Sequence, residues 1–365
     1  MAQRILKIPV NRVEGDLEIR IRIDNGVVAD AWCSGVMYRG FENIMKDRGP
    51  LDGLVITPRI CGICTTAHLA AAAAALDQVY QAAPPDQGLR IRNITLGVES
   101  LQNDIRHFLM MFMSDFSHPR YEGHPLYDTA AKCYAPLKGS RLLPGLDATR
   151  QILEIIGILG GQWPHSSFMV PGGVVTVPTA SEISQCRHLL RSFQNWYESQ
   201  VLGCPISAWN ALASRKELEV WLESASAHRE SDIGFYIRFA RDIGIDKTGR
   251  GYGNFISAGF FGLSTPEDSP DFPPRVPSTT PVFTDASGQR QRVDQTAILE
   301  DIASSWFDDT EVSRHPFDGK TKPYATGGEG GKYSWCKAPR YDNFPAETGP
   351  LAQMIAAKDP LFMDL

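Results

Sequence analysis

Seven cysteines are spread through a chain of 365 residues, and Cys61 and Cys64 are the two that stand at a spacing able to aim both sulfurs at one metal ion. They lie in the string Arg59-Ile60-Cys61-Gly62-Ile63-Cys64-Thr65-Thr66-Ala67-His68, where Gly62 lets the intervening backbone fold tightly. One such pair is half a coordination shell. Cys33, Cys133, Cys186, Cys204 and Cys336 stand singly. Further donors must therefore come from far along the chain or from another chain. An odd cysteine count at this length argues against a disulfide framework and for a reducing or metal-handling setting.

The composition bounds what such a pair can serve. Hydrophobic residues make up 43% and charged residues 21%, ordinary globular values, and a chain this long is expected to divide into two or three subdomains. The net charge of -6 is spread along the sequence, which disfavours nucleic acid as a partner, since phosphate binding wants a basic face. Residues 1–7 lack the apolar core of a signal peptide, and no run approaches the roughly 18 apolar residues of a membrane span. The chain reads as soluble, and as cytoplasmic or membrane-associated through partners.

Several elements must position the pair. Leu17-Glu18-Ile19-Arg20-Ile21-Arg22-Ile23 alternates with period two, Asn25-Gly26 supplies a two-residue turn, and residues 27–32 resume as a strand, which predicts a β-hairpin. Helical spacing follows over 66–82, 93–113, 147–157, 180–201 and 231–243. From 249 to about 331 the chain is rich in Gly, Pro, Ser and Thr, with Val282-Phe283-Thr284 as a short strand before an Asp285-Ala286-Ser287-Gly288 turn, and 267–277 as a surface loop. The expected architecture is α+β and mostly α: an N-terminal β-hairpin region over 1–60, a helical core carrying the cysteine pair over 61–248, and a loop-rich mixed region over 249–365. The pair should sit where a loop enters a helix, buried near the bundle.

Beyond the cysteines, the chain carries an ordered series of motifs. The series runs through Arg12-Val13-Glu14-Gly15, Tyr38-Arg39-Gly40-Phe41-Glu42, the Arg59 to His68 string, Gly160-Gly161-Gln162-Trp163-Pro164-His165 and Pro171-Gly172-Gly173-Val174. It continues with His315-Pro316, Gly319 and Thr321, then Tyr333-Ser334-Trp335, Lys337-Ala338-Pro339-Arg340-Tyr341, and Gly349-Pro350-Leu351-Ala352. In order and type these motifs resemble the large subunit of nickel-iron hydrogenases; the similarity covers nearly the whole chain and corresponds to roughly the first two thirds of a large subunit. The family's later Ala-Pro-Arg-Gly segment and its terminal second CxxC have no counterpart here. Asp16 stands where relatives usually carry histidine, and Gln353 where arginine is common.

The resemblance implies an enzyme that cleaves or forms dihydrogen heterolytically, with a second large-subunit fragment supplying the other CxxC. Cys61 would be a terminal nickel ligand and Cys64 would bridge nickel and iron, an iron that also holds carbon monoxide and cyanide; soft thiolates suit both metals. His68 would donate to a cysteine sulfur, and Arg59 would lie near the site or support its loop. Glu42 matches a magnesium position and Glu14 a position on a proton route or at the small-subunit interface. Iron-sulfur clusters would sit in a partner small subunit, because this chain has no cysteine pattern for them. His107 and His165 read as hydrogen-bonded core histidines, the Met110, Met111 and Met113 stripe as packing, and Trp335 and Cys336 as braces. The alternative is a non-catalytic maturation scaffold that holds the iron fragment.

Overall fold

The computed structural model describes residues 4–10, 12–249, 251–259, 280–308, 313–319, 321–326 and 331–365. The expected loop at 267–277 lies outside them. The chain is α+β and mostly helical, and it forms two compact units. One gathers Met1–Lys46, Gly251–Ile256 and Phe283–Glu347; the other gathers Asp47–Arg250, Ser257–Val282 and Thr348–Leu365. The three stretches read from the sequence are lengths of chain, whereas each unit draws from several of them.

In the first unit the hairpin is β2 (Leu17–Asp24) and β3 (Val27–Gly35), antiparallel, with Leu17 opposite Gly35 and Ile19 opposite Cys33. Asn25 and Gly26 both have positive φ, 53° and 83°, which matches the twist of the flanking strands. A third strand, β1 (Arg4–Val10), pairs along the outer edge of β2 and was hidden in sequence by its poor alternation; Pro9 is tolerated there because one side of an edge strand needs no donor. The end of β3 is held by the Tyr333-Ser334-Trp335 motif. Gly35 N donates to Ser334 Oγ at 2.9 Å, Trp335 N donates to Gly35 O at 2.8 Å, and the Trp335 ring stacks on Tyr38 with centroids 4.5 Å apart. A Cβ at Gly35 would overlap Cys336 Sγ.

The second unit is built on helices α1 (Thr65–Val79), α2 (Asp86–Arg106), α3 (Tyr127–Tyr134), α4 (Leu142–Gly160), α5 (Ala180–Trp196), α6 (Arg215–Ser224) and α7 (Asp232–Asp242). The six alanines at 70–75 give α1 the strongest helix former at each position. A Thr179–Glu182 capping box starts α5, with Thr179 N donating to Glu182 Oε2 at 2.7 Å. The expected helices over 93–113 and 180–201 run on past α2 and α5 as wider π-helical turns at His107–Phe112 and Tyr197–Leu202. Helix α4 packs against both α2 and α5. Leu69, Leu109, Met113, Ile152, Ile156 and Phe239 are all within 1% of complete burial, each stabilising the unit by about 1.5–3 kcal/mol relative to exposure.

Two of the sequence readings need correction here. His107 is exposed, edge-on to Phe112 with centroids 5.0 Å apart, because it continues the face of α2 that carries the exposed Leu101 and Asp104. Of the methionine stripe, Met113 is buried while Met110 is exposed. His165 is half-buried and hydrogen-bonded, as expected.

Candidate metal centre

Cys61 and Cys64 lie in the turn that feeds α1, and Cys64 is the residue that caps it (φ −114°, ψ 39°). Both thiols are half-buried, and neither is in a disulfide. Cys61 Sγ accepts from the backbone N–H groups of Ile63 and Cys64, each at 3.4 Å, an arrangement that stabilises a sulfur carrying negative charge. Burial first, and then the adjacent Cys61 and the Glu99 charge, push the Cys64 thiol up to about 12. The Cys64 sulfur thus holds its proton until a cation arrives to displace it.

A strong constraint on this turn comes from a residue that the sequence reading passed over. Glu99, on α2 and 1% exposed, accepts from Thr66 N at 2.8 Å and Ala67 N at 2.9 Å, and its Oε1 also accepts from Trp163 Nε1 at 3.0 Å. The signal was present: Glu99 falls among Ile91, Thr95, Val98, Gln102 and Ile105 on the buried face of a helix, where an acid needs a partner. Asn103 Nδ2 reaches Ile63 O at 3.5 Å. His165 completes the cradle, its N–H donating to Thr65 Oγ1 at 3.1 Å and its Nδ1 lying 2.9 Å from Pro58 O.

His68 is on the first turn of α1, half-buried, and burial lowers its pKa from the ordinary value against an opposing pull from Glu99. Arg59 is exposed and donates from Nη1 to Val55 O, so it ties down its own short helical turn. Cys61, Cys64, His68 and Arg59 belong to the second unit, while Glu14 and Glu42 belong to the first. Glu14 is exposed in the turn between β1 and β2. Glu42 accepts from Lys337 Nζ at 3.0 Å, and the same ammonium reaches Glu300 Oε2 at 2.8 Å and Thr321 Oγ1 at 3.2 Å. Burial works against that charge on Lys337, and Glu300 and Glu42 together outweigh it.

The donor chemistry of the pair fits nickel or iron, which soft thiolates favour, and it fills two positions. Among the described residues no cluster of three or more His, Cys, Asp and Glu groups could hold a metal ion. Glu42 shares one ammonium with Glu300, and among the described residues no third His, Cys, Asp or Glu joins them to make a magnesium site.

A mostly helical scaffold that presents two free thiols at the start of a helix offers two soft donors to a metal ion. The nickel-dependent hydrogenase family model matches residues 39–119 and 232–360. The chain is 30% identical over 361 residues to the periplasmic NiFeSe hydrogenase large subunit of Desulfomicrobium baculatum, covering 95% of this chain and 62% of that one. It is 28% identical to the hydrogenase-2 large chain of Escherichia coli K12, covering 97% and 68%. Among solved structures, the Ni-Fe-Se hydrogenase from D. vulgaris Hildenborough in its reduced state superposes with a TM-score of 0.74 at 27% identity, over 97% of this chain and 67% of that one. The chain belongs to the nickel-dependent hydrogenase family. It spans about two thirds of the length of these relatives.

Proposed function

We propose that this chain is the part of a nickel-iron hydrogenase catalytic large subunit that carries the first thiolate pair, and that it acts in the heterolytic cleavage or formation of dihydrogen. The observation that carries this reading is the free Cys61–Cys64 pair, held at the start of α1, in a member of this family. In this reading the sulfurs of Cys61 and Cys64 would hold the nickel-iron centre from this chain's side, with further thiolates completing its shell. When bound, a nickel-iron centre with carbon monoxide and cyanide on iron supplies the Lewis acidity that dihydrogen, a very weak acid, needs in order to split.

The chain's own groups do the rest. Two amides at 3.4 Å orient Cys61 Sγ, and in this reading that sulfur is where the proton is taken up. Glu99, Trp163 and His165 hold the turn rigid, and the half-buried His68 keeps an imidazole one helical turn from Cys64. Glu14 has the role of passing the proton outward, and an iron-sulfur small subunit that of taking the electrons. Magnesium enters no step.

Metal analysis of the chain isolated with its copurifying partners tests this. One nickel and one iron per complex, together with a polypeptide carrying a second CxxC, is the expected result; Cys64→Ala should lose nickel and dihydrogen oxidation while keeping its circular dichroism. Iron without nickel would point to a maturation scaffold, a reading favoured by the two-donor site. Neither metal, or full activity in Cys64→Ala, would end the hydrogenase reading. A native product that carries both pairs in one longer chain would replace the separate polypeptide.

A further inference from the structure

An α-helix opens with backbone N–H groups that lack partners, and the residue before its first turn normally answers one of them with a short oxygen-bearing side chain. At α1 that position is Cys64, whose side chain makes no cap. A sulfur committed to a metal is unavailable for capping, and a sulfur that caps is unavailable for the metal. The two N–H groups in question, on Thr66 and Ala67, are instead taken by one oxygen each of Glu99, at 2.8 and 2.9 Å, from a helix 33 and 32 residues further along.

We infer that Glu99 is the positioning residue of the cysteine pair: it takes over the cap so that the Cys64 sulfur stays free, and it fixes a negative charge beside the centre. Its placement supports both halves. The carboxylate is 1% exposed, so its charge acts through protein rather than water, and its bonds come from three N–H groups, the two amides and Trp163 Nε1 at 3.0 Å. The bond from Trp163 also locks the side-chain torsions of Glu99, so the cap does not wander. The segment carrying Gly160 to His165 thus acts on the start of α1 through Glu99 as well as through the bond from His165 to Thr65. Glu99 touches neither sulfur in this scheme; it acts through the helix start and through its charge.

The inference rests on the hydrogenase reading for the identity of the metal, and the test separates the two. Glu99→Gln keeps the shape and one acceptor oxygen but loses the charge, and Glu99→Ala loses both. In the complex, nickel retention under chelator challenge should fall in the order wild type, Glu99→Gln, Glu99→Ala, with Glu99→Gln about 10- to 100-fold weaker than wild type, the usual effect of removing a group that orients a ligand. Removing a negative charge should also move the nickel EPR midpoint to a more positive potential in Glu99→Gln, a change that lost stability alone does not produce. Amide exchange at Thr66 and Ala67 should speed up in both variants. If exchange speeds up while nickel retention and midpoint stay at wild-type values, Glu99 is a structural cap only and the inference fails, with the hydrogenase reading intact. If the wild-type complex holds no nickel, both fall together.

Discussion

Arg92 offers a sharp test of how the helical unit is tied together. Its guanidinium is 6% exposed and meets Asp77 Oδ2 at 2.6 Å from Nη1, Val170 O at 2.6 Å from Nη2, and Gly173 O at 2.9 and 3.1 Å. Asp77 in turn accepts from Gly172 N at 2.8 Å. One ion pair thus joins α1, α2 and the short hairpin of β4 (Met169–Val170) and β5 (Gly173–Val174), which explains why Pro171-Gly172-Gly173-Val174 belongs to the motif series. Arg92→Met leaves the Asp77 carboxylate, 13% exposed, without its cation. Breaking one side of a buried pair costs about 3–5 kcal/mol, or roughly two to three and a half powers of ten in the folded-to-unfolded ratio. Replacing both partners by apolar residues removes the stranded charge, so Asp77→Leu with Arg92→Met should recover much of that loss. Native-state hydrogen exchange of slowly exchanging α1 and α2 amides reads the difference without assuming that the whole chain unfolds in one step. A loss under about 1 kcal/mol in Arg92→Met, or a double variant no more stable than the single one, would refute the argument.

Two further outcomes follow from the same geometry. His68 has a depressed folded-state pKa, so below pH about 6.5 the unfolded chain takes up a proton that the folded one resists. That contribution to stability is present above this pH and lost as pH falls; a His68→Gln variant should flatten the slope between about pH 7 and 5, and an unchanged slope would show that His68 is not the group responsible. In the first unit, Gly35→Ala should destabilise by about 1–3 kcal/mol, since its methyl group overlaps Cys336 Sγ, and Cys336→Ala in the same chain should relieve the loss. Thermal melts of the four proteins of that cycle decide it, and equal melting of the single and double variants would contradict the overlap.

Local pattern carried much of the architecture. The period-two alternation over Leu17 to Ile23 with Asn25-Gly26 fixed the hairpin, because strand faces and a turn with two positive φ angles are properties of a few adjacent residues. Helical periodicity found the long helices, but not that two of them continue as π-helical turns. The edge strand β1 was missed because its own alternation is weak and its partner, β2, supplies the pairing.

For the site, the sequence alone supplied the candidate donors: two cysteines at pair spacing with Gly62 between them. It also placed His68 on the same helix, since four residues make about one turn. What it left open was everything that crosses the chain. The oxygen that caps α1 comes from Glu99, the indole that holds Glu99 comes from Trp163, and the ammonium that meets Glu42 comes from Lys337, 295 residues away. The physical reason is that a cysteine's fitness as a ligand is set by residue type and spacing, whereas its freedom to act as one depends on which distant group answers the neighbouring amides, and only packing brings that group into reach.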